Sequence, residues 1–123
     1  MVAPAAQGTR VVRGREFRPR RAWDAVELMQ LDGVSARLHW ANKPCPWRVN
    51  EADEVFLVID GLVDMHYRRE GSERFVTLGA GDLFVAGAGC ERIARPRGEA
   101  RVLVVERAAG GQSGCRSSRE AGC

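Results

Sequence analysis

Between residues 34 and 106 the apolar residues arrive in strand-length bursts separated by turn chemistry, and no stretch keeps a helical period. Val34, Ala36, Leu38 and Trp40 alternate with Ser35, Arg37 and His39, the two-residue period of a half-buried strand. Two prolines between Asn42 and Pro46 break that pattern. Val55 to Ile59 is a continuous apolar run ended by Asp60–Gly61, a short hairpin signal. Val63, Met65 and Tyr67 alternate beyond it, Glu70–Gly71–Ser72 turns the chain, and Phe75 to Leu78 follows. Gly79 to Asp82 makes another turn into Leu83–Ala86, and Ala100 to Glu106 closes the series. Only Trp23 to Met29 admits a helical turn, and it reads equally well as a strand. Segments at this spacing predict an all-β sandwich or barrel.

The 123 residues divide into three zones. Residues 1–21 read as a basic, flexible arm, residues 22–107 as the barrel domain, and residues 108–123, with no apolar periodicity, as a disordered tail. Residues 1–22 hold six arginines and one glutamate, a charge of +5, whereas the rest of the chain nets −2. The basic character therefore belongs to the arm, which reads as a solvated terminus more than as a nucleic-acid contact. No run approaches the roughly 18–20 apolar residues of a membrane span. Arg10, Arg13 and Arg15 interrupt any secretory leader, so a cytoplasmic location is expected. Cys45, Cys90, Cys115 and Cys123 match no zinc spacing and are expected as reduced thiols.

One run carries a prediction about assembly. Val55 to Ile59 is apolar on both faces. Phe56 and Val58 can point inward with Glu54, which leaves Val55, Leu57 and Ile59 in need of a second cover. A homodimer through that sheet would supply it.

PWRVNEADEVFLVIDG, followed about twenty residues later by GAGDLFVAGAG, resembles the paired motifs of the cupin superfamily. The frame of the first is Arg48-x-Asn50, three residues, Glu54, six residues, Gly61. The frame of the second is Gly81, five residues, Gly87-x-Gly89, two residues, Arg92. Every family spacing is kept, over residues 22–107. The resemblance implies a double-stranded β-helix of jelly-roll type. It also implies that positions 48, 50, 54 and 92 converge inside the barrel, where metal-bearing cupins place two His, a Glu and a third His around divalent iron, manganese, nickel or zinc.

Here those positions hold Arg48, Asn50, Glu54 and Arg92. Arginine keeps its proton at any accessible pH, so two of the four present cations where a metal would sit. A metal-free site is therefore expected, with Glu54 bonded to at least one arginine. The four either form an internal ionic network or leave a guanidinium for a small anionic ligand, with Trp47, Phe56 and Phe84 as apolar walls. His39 and His66 read as surface or interface residues. Cys90 reads as a small buried side chain, not a nucleophile. The reading is a binding or structural module with no catalytic residue assigned. The alternative is a cupin enzyme of isomerase, epimerase or dioxygenase type, either metal-dependent or using acid–base residues, for which only Glu54 is placed.

Overall fold

The computed structural model describes residues 8–107. The chain makes β1 (Ala25–Leu31), β2 (Val34–Ala41), β3 (Arg48–Val49), β4 (Glu54–Arg69), β5 (Ser72–Leu78), β6 (Leu83–Ala86) and β7 (Glu91–Arg107). A 3-10 turn at Gly14–Glu16 precedes them. All pairings are antiparallel, in the order β1-β2-β7-β4-β5, with β3 on β7 and β6 on β4. The tail and the first seven residues lie outside the described residues, as do Cys115 and Cys123.

Two long strands organise the fold. The first half of β4 pairs with the end of β7 and with β6, and its second half with the start of β7 and with β5. The ladder between β4 and β7 is irregular at Val58–Asp60 and Asp60–Leu62, where both strands bend. The expected hairpin at Asp60–Gly61 is therefore corrected to a bulged bend inside one strand. Gly61 is needed there twice over. Its φ is 88°, and a Cβ would lie 2.3 Å from the Glu99 carbonyl oxygen of β7. The true hairpin comes later, at Glu70–Gly71, where both residues have positive φ.

The bend lays the two halves of the sheet face to face, as in a jelly roll. Phe56, Val58, Val102 and Val104 from one layer meet Val63, Met65, Ala94 and Leu78 from the other, and all are buried. Trp23 and Cys45 complete this core.

The facing of β2 is the reverse of the sequence expectation. Ser35, Arg37 and His39 stand opposite Glu106, Val104 and Val102 on β7, so they share the interior face. His39 is 1% exposed, and its Nδ1 lies 3.0 Å from the Trp23 carbonyl oxygen, which removes it from the surface. Leu38 and Trp40 are buried on the outer face instead. Trp40 lies under the Arg18 guanidinium and donates from Nε1 to Glu99. Arg101 donates to the Phe17 carbonyl oxygen and to Asp60, and Gly14 sits against Ile59. The segment before β1 thus covers part of the outer face for which a second subunit was expected. Val55 and Leu57 stay half-exposed, beside exposed Leu83 and Val85.

Cys90 is a free, half-buried thiol, and burial pushes its pKa up, as suits a packing residue. Cys45 departs from the expectation of reduced thiols: it is disulfide-bonded.

Candidate functional site

Backbone pairing assembles the site. Arg48 of β3 lies opposite Arg92 of β7, which lies opposite Tyr67 of β4. The turn before β7 clamps the following residue, since Asn50 N–H donates to Cys90 O (2.9 Å) and Gly89 N–H to Asn50 O (2.8 Å). Asp53 accepts from Ala88 N–H and ties the same two loops together. Glu54 opens β4 from the opposite layer, next to Glu106 in the ladder. The motif spacings therefore do bring Arg48, Asn50, Glu54 and Arg92 to one cavity of about 160 Å³, lined also by Glu51, Ala52, Glu106 and Arg107.

Arg92 is the centre of the network. Its Nη2 donates to both Glu54 oxygens, at 2.6 and 2.9 Å, and its Nε donates to Glu54 Oε1 (3.1 Å) and Asn50 Oδ1 (2.8 Å). Asn50 Nδ2 donates to Glu54 Oε1 at 2.6 Å. Arg92 is 4% exposed and Glu54 2%, so this is a desolvated ion pair whose worth rests on those extra hydrogen bonds. Phe56 lies beneath, with its ring 5.9 Å from the Arg92 guanidinium carbon.

Phe56 packs under Arg92 without lining the cavity, and the other two expected walls are elsewhere. Trp47 lies under the Arg68 guanidinium, 3.9 Å from its carbon, and Phe84 packs on Tyr67 with ring centres 5.4 Å apart. Neither lines the cavity.

The donor set does not suit a divalent metal ion. Of the four motif positions only Asn50 and Glu54 offer oxygen, and both are engaged by the guanidinium of Arg92, a cation in the position of the third His. Among the described residues no three His, Cys, Asp or Glu side chains cluster as ligands.

Glu106 is the residue that sequence reasoning missed. It faces the cavity from the end of β7, and its Oε2 is buried without a hydrogen-bond partner. Burial, with the Glu54 carboxylate beside it, pushes its pKa up to about 7, against the pull of Arg48, Arg92 and Arg37. The alternation of Val102, Val104 and Glu106 on one face was the available signal.

The comparisons establish the fold. No protein-family model and no curated protein matches the sequence. A cupin-2 domain protein of Shewanella frigidimarina superposes with a TM-score of 0.64 at 21% identity, covering 72% of this chain and 83% of its own. A cupin superfamily protein of Desulfitobacterium hafniense gives 0.65 at 14%, covering 77% and 86%. Hydroxypropylphosphonic acid epoxidase of S. wedmorenis gives 0.59 at 11%, covering 67% of this chain and 49% of the enzyme. The fold is that of the cupins. Its neighbours include an enzyme alongside proteins without a stated activity, so the fold alone chooses no function.

Proposed function

We propose that this protein is a metal-free binding module of cupin fold whose cavity takes a small carboxylate. The observation that carries it is the trio of guanidinium groups, Arg48, Arg92 and Arg107, lining one cavity. Arg92 is held by Glu54 and Asn50, and Arg48 and Arg107 add positive charge at the wall that attracts an anion. Guanidinium groups recognise carboxylates through planar paired hydrogen bonds. The volume, about 160 Å³, is close to that of a cavity of about 150 Å³ that accommodates benzene, which favours a ligand of about six non-hydrogen atoms.

Calorimetric titration with propionate at pH 6 tests the proposal. Saturable binding is expected, weakened tenfold or more by Arg48→Ala. Equal affinity in that variant would refute the assignment.

A second reading, an acid–base enzyme, draws support from Glu106, which joins Glu54 at the cavity. It predicts exchange of solvent deuterium into pyruvate that Glu106→Gln abolishes. Simple binding predicts no exchange.

The same proposal includes a homodimer. Val34, Val55, Val85 and Val105 line an outer groove beside exposed Leu83, a surface that a second copy would bury. A solution mass that stays monomeric at every concentration would remove the dimer.

A further inference from the structure

Two polar side chains in the interior, Ser35 and Glu106, stand opposite each other across β2 and β7, and each carries a buried oxygen without a hydrogen-bond partner. Buried acceptors and donors seldom stay unpaired, because each costs about 1–3 kcal/mol of desolvation. Ser35 is sealed, but Glu106 faces the cavity. An ionised carboxylate at that point would accept hydrogen bonds only, and would repel an arriving anion. A protonated one has a hydroxyl to donate.

We propose that the cavity takes its carboxylate ligand together with a proton, held on Glu106, whose carboxyl then donates a hydrogen bond to a ligand oxygen. The inference rests on the carboxylate-binding reading above and adds the group that sets its pH response. No bond to carbon forms or breaks. One proton moves from solvent to the Glu106 carboxylate, and one negative charge enters with the ligand.

The surroundings fit this role. Arg37 of β2, Arg48 of β3, and Arg92 and Arg107 of β7 are the cations around Glu106, and Glu54 of β4 and Glu51 of the preceding loop are the anions. Arg92 and Glu54 satisfy one another. Protonating Glu106 therefore removes one negative charge from the cavity wall that Arg48 and Arg107 share. Burial pushes the Glu106 pKa up to about 7, within easy reach of a modest ligand-linked shift.

Propionate is the probe, titrated at pH 6 and pH 8 into the full chain and into Glu106→Gln. Binding only to the protonated form predicts an affinity about tenfold weaker at pH 8 than at pH 6. Glu106→Gln keeps a donor but cannot titrate, so its affinity should be the same at both pH values. In the wild-type chain, ¹³C NMR should show the Glu106 midpoint moving upward when propionate is added. That readout stands even if the variant folds poorly. Equal wild-type affinity at pH 6 and 8, an unmoved midpoint, or a pH dependence that survives in Glu106→Gln would each overturn the proton coupling while leaving the anion site in place. An absence of propionate binding at both pH values would remove the site and the coupling together.

Discussion

The interior of this jelly roll has two ends of opposite character. At one, Val58, Val63, Met65, Ala94, Ala100 and Val102 pack with almost no exposure, and dispersion and the hydrophobic effect hold them. At the other, a few ångströms beyond Phe56, charged groups replace apolar ones: Arg92, Glu54, Asn50, Arg48 and Glu106. The apolar end is complete without a partner. The charged end balances Glu54 with four hydrogen bonds from Arg92 and Asn50, yet leaves Oε2 of Glu106 unanswered. One carboxyl is thus built into the structure, and its neighbour in the ladder is left available. This contrast is why the proposed site is the charged end of the barrel.

The largest effects should come from breaking either end. Arg92→Met strands the Glu54 carboxylate in the interior and should cost about 3–5 kcal/mol in denaturant unfolding. Phe56→Ala should cost a similar amount, about 3–5 kcal/mol, through the void it leaves. The ends differ in how they are rescued. Adding Glu54→Leu to Arg92→Met should recover most of the loss, since an apolar pair of like volume often serves as well as a buried ion pair. A double variant no more stable than Arg92→Met would show that the two ends are held by the same kind of force.

Glu106→Gln sharpens the comparison at smaller scale. The folded chain holds the Glu106 proton up to about 7, whereas the unfolded chain releases it near 4.5, so stability falls as pH climbs through that window. The variant escapes this loss. With allowance for partial exposure, it should be more stable than wild type by about 1–2 kcal/mol at pH 8, with no such gain at pH 4. Urea unfolding at both pH values checks this, and a pH-independent difference would contradict the assignment. The smallest effect belongs outside the cavity. Arg68→Ala removes the guanidinium stacked on Trp47 and should cost about 0.5–1 kcal/mol in the same assay, without changing propionate affinity.

Much of this architecture was legible in the residues. The strand at 34–41 follows a period-two segment, those at 72–78 and 83–86 follow the short apolar runs at 75–78 and 83–86 between turns, and the motif spacings placed four side chains in one cavity. The first half of β7 was not legible, because Pro96, Gly98 and five charged residues between Glu91 and Glu99 hide a strand whose inward face carries the site. Asp60–Gly61 misled for a related reason: a residue with positive φ serves a bulge as well as a hairpin, and only the approach of Glu99 decides between them. β2 misled because both of its faces are buried, so Leu38 and Trp40 could not mark the inside. Glu106 escaped notice since it belongs to no motif position, although it continues the inward row of Val102 and Val104.

On the proposed function, the Arg92 guanidinium occupies a motif position that metal-bearing cupins give to a His, and the cavity serves an anion. Elemental analysis of the full chain purified without chelator tests it most directly. Iron, manganese, nickel and zinc should each lie far below one equivalent per chain, with propionate binding intact in that same preparation. Stoichiometric metal, released in step with loss of binding when chelator is added, would contradict it.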